Sequence, residues 1–433
     1  LDSLASLGSP YTAEEVGRIA CSLAANIMPS GTIVASPAKG KEPAYTFPNG
    51  SNYMDGEVMQ NDYWYMWQRD SGLTMRTLLR VAKDAPAVQE QLKVYTKMLL
   101  EKIWPKFKSP NENCAPWGSF GPNQTHAAGG FCAYFGEPKY FVNQTVYNQG
   151  WGRNQNDGPA FNSLVMMELL DLPDVDPTLL KEAKAKIIDA INWIGYMGVD
   201  STIDPWEMLY GQHFFVQAIQ YRAAAAAADL AAKGVLTSDD GDISNLKYWP
   251  KLFAKLLELH WRPENGLVEE TSSRPDWMPI GPKCLNTGSA KTGTTYPVME
   301  SGPCELDIAV VIGSLVSKAK PGSAFPEVMP PHDPRMLATA ELLVQSMGPT
   351  YEVNQIDDKA DLPGVLIGRY PGDEYSGVIQ PDGVTPICTG WNCGNPWFLT
   401  THALAEQFYE VALATAEGKF LVDGNVPALA SRF

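Results

Sequence analysis

The sequence predicts an all-α fold, arranged as a helical barrel whose long loops build a pocket at one end. Three observations support this prediction. Apolar residues recur at helical spacing along most of the 433 residues, strand signals are sparse and local, and long irregular segments join alternate helices. Loops of that length inside a compact domain are usually functional, so the candidate site is expected in them.

The apolar periodicity indicates ten long helices, with boundaries defined to within a few residues. They are expected at residues 12–28, 71–83, 88–104, 159–171, 177–197, 210–234, 246–260, 304–318, 335–348 and 395–416. The long loops between them are residues 29–70, 105–158, 261–303 and 349–394, which are rich in Gly, Pro, Asn and aromatic residues. No domain linker is evident, so residues 1–433 are interpreted as one domain.

Composition narrows the range of partners. The formal net charge of −16 argues against nucleic acid and anionic membranes, and it suits a neutral substrate. The longest apolar run, Ala223 to Ala228, is six alanines within a predicted helix, which is far too short to cross a membrane. The five His are scattered without ligand spacing, so neither a metal nor another cofactor is expected.

Three N-x-[ST] sequences occur, at Asn49, Asn123 and Asn143, beside seven cysteines. This combination predicts a mature secreted or extracellular chain, with a lysosome-like compartment as the alternative. The cysteines allow three plausible disulfides: Cys388 with Cys393, Cys284 with Cys304, and Cys114 with Cys132. Cys21 is left over within the apolar pattern of the first helix, and a buried free thiol is expected there.

The dipeptide Trp206-Glu207 is the strongest single indication of chemistry. It places a carboxyl beside an indole, just before a weakly charged apolar stretch. An aromatic wall disfavours the charged form of a carboxyl, which raises its pKa and lets it donate a proton near neutral pH. This is what the general acid of a glycoside hydrolase requires, although a lone Glu at a helix start is more often a capping residue.

Three of the long loops contain further candidate polar residues. Arg69 and Asp70 follow four aromatic residues at a helix start, where Asp70 either caps the helix or binds a ligand. Asp157, with Pro159 after it, is a typical helix start. Arg369 and Asp373 offer a guanidinium fork and a carboxylate to sugar hydroxyls, with surface ion pairing as the alternative.

Taken together, these stretches resemble a known family. The motifs are Trp-x-Arg-Asp-Ser-Gly-Leu, Trp-Gly-Arg-x-Gln-x-Asp-Gly-Pro-Ala, Asp-x-Trp-Glu-x-x-x-Gly-x-x-Phe-Phe, Gly-Arg-Tyr-Pro-x-Asp and Gly-Asn-Pro-Trp-Phe-Leu, in this order. They are similar to the fungal-type glucoamylases of glycoside hydrolase family 15, which are inverting, exo-acting α-glucosidases. The resemblance implies an (α/α)6 barrel of six helix pairs, with the active site at one end.

The resemblance also implies residue roles. Glu207 matches the general acid. Arg69 and Asp70 match the pair that grips the non-reducing terminal glucose, and Arg369 with its partner Asp373 matches the group around the cleaved bond. The aromatic residues that match the sugar pocket are Tyr63, Trp67, Tyr147, Trp151, Trp206, Tyr375 and Trp397.

Two departures from the family pattern affect the expected function. Met208 stands where the family usually has a second acidic residue, which puts chain-length and linkage preference in doubt. An inverting enzyme also needs a second carboxylate as base, ~6.5–9.5 Å from the acid, and the family's base lies beyond the Gly-Asn-Pro-Trp-Phe-Leu motif. Glu406 and Glu410 match structural positions. The base and the last helix pair are therefore expected outside this chain, on a missing C-terminal segment or on a second chain.

The sequence thus predicts a secreted inverting hydrolase that releases β-D-glucose from the non-reducing ends of starch-like α-glucans or maltooligosaccharides. Two alternatives remain. One is a non-catalytic glucan-binding or structural protein on the same barrel, and the other is a different specificity on the fold, such as trehalose or dextran hydrolysis.

Overall fold

The computed structural model describes ten helices and a set of short strands. The described residues are 12–37, 63–104, 134–147, 152, 154–273, 306–349, 351, 353–354, 364–371, 373 and 395–419, together with six two-residue strands between them. The chain divides into two compact units. The first comprises Leu1–Thr202 and Ala223–Pro250, and the second comprises Ile203–Arg222 and Lys251–Phe433.

Helices account for most of the described residues, which confirms the all-α class. In chain order they are α1 (Ala13–Ala24), α2 (Gln68–Ala82), α3 (Pro86–Met98), α4 (Asp157–Leu169), α5 (Pro177–Met197), α6 (Phe214–Ala232), α7 (Trp249–Glu258), α8 (Ala309–Val316), α9 (Pro334–Met347) and α10 (Phe398–Ala416). A π-helical turn, Leu99–Ile103, continues α3. Each of the ten predicted helices has its counterpart within a few residues.

The strands are short and pair locally. They are β1 (Tyr45–Thr46), β2 (Asn52–Tyr53), β3 (Met59–Gln60), β4 (Met66–Trp67), β5 (Cys114–Ala115), β6 (Phe131–Cys132), β7 (Lys139–Tyr140), β8 (Thr202–Ile203), β9 (Tyr210–His213), β10 (Trp261–Arg262), β11 (Leu267–Val268), β12 (Thr271–Ser273) and β13 (Val378–Ile379). In the first unit β1 pairs with β2, β4 with β7 and β5 with β6, each antiparallel. In the second unit β10 pairs with β11, and β12 with β9, also antiparallel.

Helix starts follow from local capping chemistry. Thr12 and Glu15 form a capping box on α1, in which each side chain bonds the backbone N–H of the other residue. Asp176 caps α5 and Asp333 caps α9, and both are followed by a proline at the first helical position. These side chains satisfy N–H groups that have no partner inside the helix, which fixes where each helix begins.

In the first unit, α4 is the central helix. It packs against α2, α3 and α5, and almost all of its residues are buried. Burial on all sides explains why its sequence lacks a polar face. The contact between α2 and α4 is close because Gly72 lies against Phe161: a Cβ at Gly72 would stand 2.6 Å from the Phe161 Cβ.

In the second unit, the short helix α8 has a comparable place. Its sequence is almost wholly apolar and most of it is buried, and it packs against α9 and α10. Gly313 in α8 has the Phe215 Cα 3.0 Å from the position of a Cβ, so it too marks a close approach of two backbones.

Two sequence expectations differ from the structure. The predicted helix 210–234 begins only at Phe214, because Tyr210–His213 pairs with β12 as strand β9. Cys21, which was expected to be buried, is exposed: its periodicity was helical, but it does not lie on the face of α1 that packs inward. On α10, Phe398 and Tyr409 are 83% and 68% exposed. Among the described residues, no helix is both long and apolar enough to cross a membrane.

The close packing at Gly72 predicts opposite outcomes for two Gly→Ala changes inside helices. Gly72→Ala should destabilise the protein by roughly 1–3 kcal/mol, because its methyl group overlaps the Phe161 Cβ. The matched control is Gly17→Ala in α1, where no atom lies within 4 Å of the new Cβ. That change should stabilise by about 0.5–1 kcal/mol through helix propensity. Urea denaturation measures both, and equal effects would contradict the described α2–α4 contact.

Candidate active site

Strand β4 and the start of α2 position the Arg69-Asp70 pair in the first unit. Met66 lies opposite Tyr140 and Trp67 opposite Lys139 in the β4–β7 ladder. Trp67 occupies the N-cap position of α2 without a side-chain cap, so Asp70 lies in the first helical turn and is not the cap. A carboxylate there is favoured by the helix dipole, and both Arg69 and Asp70 stay half-buried.

A buried amide fixes this helix start. Gln68 donates from Nε2 to the carbonyl oxygens of Phe135 (2.8 Å) and Glu137 (2.7 Å). Its Oε1 accepts from the indole Nε1 of Trp104 (2.8 Å) and from Nδ2 of Asn162 (3.2 Å). All the hydrogen-bonding capacity of this amide is used by the protein. The sequence analysis did not identify Gln68, because its partners come from three distant segments.

Asp157 has a second role besides starting a helix. Its Oδ1 accepts from the backbone N–H of Gly158 (2.8 Å), as the helix-start prediction implies. Its Oδ2 accepts from Nη1 of Arg69 at 2.6 Å, and both side chains are largely shielded from solvent. A buried charged hydrogen bond of this kind orients the guanidinium strongly. Arg69 is therefore held in one orientation from the base of α4.

An aromatic cage surrounds a buried lysine in the same unit. The Lys139 Nζ lies 4.2 Å, 4.4 Å and 4.1 Å from the ring centroids of Tyr65, Trp67 and Tyr147. Tyr63, which is more exposed, has its ring centroid 6.2 Å from that of Trp67. Cation–π attraction orders these rings. The structure thus brings together the sequence-predicted residues Tyr63, Trp67 and Tyr147, around a lysine that was not among the candidate site residues.

In the second unit, one buried carboxylate closes the loop that carries Glu207. Asp204 Oδ2 accepts from the backbone N–H of Trp206 (3.0 Å), and Oδ1 accepts from those of Met208 (2.6 Å) and Leu209 (2.5 Å). The N–H of Glu207 donates to the Asp204 carbonyl (3.0 Å). The carboxylate thus accepts hydrogen bonds from backbone N–H groups that would otherwise have no partner in this tight loop.

Glu207 occupies an unusual backbone conformation inside this loop. Its φ is +64°, in the left-handed region, and its side chain is half-buried. This region costs a non-glycine residue roughly 1–2 kcal/mol. Such strain persists only where the surroundings enforce it, and it is concentrated at functional sites. The hydrogen bonds of Asp204 help to hold Glu207 in this conformation.

The other predicted residues of the second unit surround Trp206. Arg369 forms a bidentate ion pair with Asp373, from Nε to Oδ2 at 2.7 Å and from Nη2 to Oδ1 at 2.6 Å. The Arg369 Cζ lies 5.6 Å from the Trp206 ring centroid and 5.2 Å from that of Trp397. Because Arg369 and Asp373 are both buried, surface ion pairing does not describe this pair.

Tyr370 and Met208 link this group to the Glu207 loop. The Tyr370 ring lies 5.2 Å from the Arg369 Cζ, and its hydroxyl donates to the Met208 Sδ at 3.0 Å. Met208 itself is 38% exposed, immediately after Glu207 in the chain. The departure from the family pattern therefore places a partly exposed thioether beside the candidate acid.

Two buried acids that the sequence analysis missed lie in the second unit. Asp307 accepts from the Trp206 Nε1, and burial raises the pKa of Asp307 to about 8 against the opposing hydrogen bonds from Ala309 and Trp206. Burial, then the charges of Asp307 and Asp204, raise the pKa of Glu270 well above its usual value. Both residues are remote in sequence from Trp206, so only the tertiary structure reveals the cluster.

Some sequence-predicted residues lie outside the described part of the chain. They are Trp151, Tyr375, Asn49, Asn123, Cys284, Cys304, Cys388 and Cys393. Asn143 is exposed in a turn, where its Oδ1 accepts from the Thr145 hydroxyl at 2.7 Å. Cys114 and Cys132 are directly opposed in the β5–β6 ladder, and their disulfide remains a prediction. No group of three or more metal-ligating side chains occurs among the described residues.

The profile of "Glycosyl hydrolases family 15" matches residues 18–430. The chain belongs to this family. A glucoamylase of Blastobotrys adeninivorans is 28% identical over 80% of this chain and 49% of its own length. The intracellular sporulation-specific glucoamylase of Saccharomyces cerevisiae is 26% identical over 81% of this chain and 56% of its own length. The chain thus spans about half the length of these relatives.

Solved structures support the fold of this family 15 chain. The glucoamylase from Saccharomycopsis fibuligera superposes with a TM-score of 0.61, covering 92% of this chain and 72% of that one, at 24% identity. The fold class is therefore the (α/α)6 barrel of the family 15 glucoamylases. The roles of the individual site residues, which the motifs suggested, remain predictions at this point.

The position of Asp70 inside the first turn of α2 separates binding from capping. Because Trp67 is the N-cap, Asp70→Asn should change the free energy of unfolding by less than about 1 kcal/mol. If Asp70 grips a sugar, the lost charged hydrogen bond should cost roughly 1.5–3 kcal/mol in kcat/KM for maltose. Glucose release and urea denaturation give the two numbers, and unchanged kinetics would leave Asp70 with a structural role.

The raised pKa of Glu270 predicts a pH dependence of stability. A carboxyl that stays protonated when folded but ionises when unfolded makes the protein lose stability as pH rises above about 4.5. Glu270→Gln removes this contribution, while Asp307 and Asp204, which face it, and His213, whose Nδ1 lies 3.9 Å from Oε1, stay in place. The stability of the variant should therefore increasingly exceed that of the parent as pH rises from about 5 to about 8. The exposed Glu264→Gln is the control, and parallel pH curves for parent and Glu270→Gln would contradict the assignment.

Proposed function

We propose that this chain carries the catalytic machinery of a secreted, inverting, exo-acting α-glucoside hydrolase. Its substrates would be starch-like α-glucans or maltooligosaccharides, and β-D-glucose would be released from their non-reducing ends. The observation that supports this most directly is the Asp204-closed loop, which holds Glu207 beside Trp206 in a family 15 chain.

Glu207 is proposed as the general acid. Its side chain is half-buried, and its backbone is strained. Such strain is typical of residues that a protein holds in place for function. Protonation of the glycosidic oxygen turns a poor leaving group into a neutral alcohol, which is the main contribution of such an acid. The Trp206 indole beside it would limit access of water to the carboxyl.

Two cationic groups are proposed to bind the sugars. In the second unit, Asp373 fixes the Arg369 guanidinium, which leaves its orientation independent of substrate. In the first unit, Asp157 fixes Arg69 in the same manner, and Asp70 follows it in the helix. Groups whose orientation is set before binding lose little entropy when the substrate arrives. The aromatic residues Tyr63, Trp67, Tyr147 and Trp397 would face the pyranose rings.

The role of general base is assigned to neither glutamate of α10. Glu410 is ion-paired with Lys318 at 2.5 Å, which supports a structural role, and Glu406 matches a structural position of the family. The substitution at Met208 bears on specificity: its thioether, engaged by Tyr370, would offer the leaving-group sugar an apolar contact in place of a carboxylate. Linkage and chain-length preference would then differ from enzymes with an acid there.

Secretion and glycosylation are part of the proposal. The Asn143 side chain is exposed, as an acceptor must be, and the cysteine content suits an oxidising compartment. The following experiment distinguishes this enzymatic function from the non-catalytic alternative, which is glucan binding without hydrolysis.

Glu207→Gln should reduce glucose release from maltose by ~10²–10⁴-fold or more, because the amide keeps the shape of the side chain but carries no transferable proton. Its thermal midpoint should stay close to that of the parent, since the hydrogen bonds of the loop come from backbone groups and Asp204. Glu264→Gln, on the surface, is the control. Both forms are measured in protein that includes its general base. Activity of Glu207→Gln within tenfold of the parent would refute the general-acid assignment, and an inactive parent that still binds maltose would favour the non-catalytic alternative.

A further inference from the structure

We infer that Asp307 is a positioning residue that holds the Trp206 indole and, through it, the loop that presents Glu207. Neither the motifs nor the comparisons assign a role to Asp307. The expected effect on catalysis rests on the proposed function, whereas the structural part of the inference can be tested without it.

The contact between Asp307 and Trp206 is specific. The indole Nε1 donates to both carboxylate oxygens, at 3.0 Å from Oδ1 and 2.9 Å from Oδ2. Asp307 is almost completely buried, and the Trp206 side chain is half-buried. A hydrogen bond in buried surroundings is stronger than the same bond in water, and it fixes the rotation of the indole about its side-chain bonds.

Helix capping does not account for Asp307. Its Oδ1 accepts from the backbone N–H of Ala309 at 2.7 Å, as a residue at the start of α8 would do. A neutral Asn or Ser could make that bond equally well. The Oδ2 atom accepts from the indole Nε1 of Trp206, and Trp206 lies about a hundred residues earlier in the chain. The burial of a carboxyl group is costly, and capping alone would not require it.

The segment that contains Asp307 connects both groups of the site in this unit. The N–H of the next residue, Ile308, donates to the Arg369 carbonyl at 3.0 Å. The Arg369 guanidinium in turn lies 5.6 Å from the Trp206 ring centroid. One short segment therefore sets the position of the indole by a side chain and the position of the arginine by the backbone.

The loop needs an external hold of this kind. Asp204 satisfies its backbone N–H groups from within, but Glu207 remains at a φ of +64° and the loop can relieve that strain if it shifts. Trp206 is the residue immediately before Glu207, so fixing its indole opposes such a shift. A displacement of about 1 Å at a catalytic group can cost 10²-fold in rate.

The structural part is tested by two measurements on the full chain. In ¹⁵N-tryptophan spectra, the Trp206 indole resonance is assigned by its absence in Trp206→Phe. In Asp307→Ala it should move upfield, and hydrogen exchange measured by mass spectrometry should accelerate in the peptide containing residues 204–209. The control is Asp176→Ala, which removes the cap of α5. Among the described residues, the Asp176 carboxylate accepts hydrogen bonds only from the backbone N–H groups of Thr178 and Leu179. This substitution should lower stability but leave both signals unchanged. An unmoved indole resonance, or unchanged exchange in that peptide, would overturn the inference.

The catalytic part is tested by a double-mutant cycle with maltose. Asp307→Ala should lower kcat by about tenfold or more with a smaller change in KM, and Asp307→Asn should recover part of the loss because its amide oxygen still accepts. The double variant Asp307→Ala/Trp206→Phe should be no slower than Trp206→Phe alone. Additive losses, or full kcat in Asp307→Ala, would refute the role. The kinetics are measured on protein that includes its general base. If that parent is inactive on maltose, the proposed function fails, while the spectra and the exchange data still decide whether Asp307 holds the loop.

Discussion

The buried carboxylate of Asp204 is the constraint on which the candidate site of the second unit depends. It accepts three backbone N–H groups within five residues of itself. Without these bonds, a loop that places a glutamate at positive φ would carry unsatisfied donors in addition to its strain. The backbone positions of Trp206, Glu207 and Met208 follow from this closed loop, whereas Asp307 orients the Trp206 indole.

The first unit solves the same problem with a neutral group. Gln68 uses its amide to tie the start of α2 to the segment around β7 and to the indole of Trp104. Arg69 follows directly in the chain and is oriented by Asp157. In both units, therefore, a residue with no chemical role holds the backbone, and a residue one to three positions later carries the candidate function. This arrangement provides the preorganisation that an active site requires.

Burial of charge distinguishes the two halves of the second-unit site. Arg369 and Asp373 are buried as a bidentate pair, so each charge is compensated. Asp307 and Glu270 are buried close to other acids, and both have a raised pKa. Clusters of this kind are costly in stability, and they are retained where function benefits from them. Asp307 offers such a benefit through Trp206.

The ten helices could be predicted from the sequence alone, because apolar periodicity and capping residues such as Thr12 and Asp176 are local signals. The sequence motifs also indicated Glu207, Arg69 and Arg369, since all three lie beside aromatic residues and the two arginines fall in long loops. The strand Tyr210–His213 could be identified only from the tertiary structure. Its pairing with β12 makes it a strand although its sequence has helical periodicity. The tertiary structure alone identified Gln68, Lys139, Glu270 and Asp307. Their roles come from partners that are distant in sequence, and no local pattern encodes which side chains folding will bring into contact.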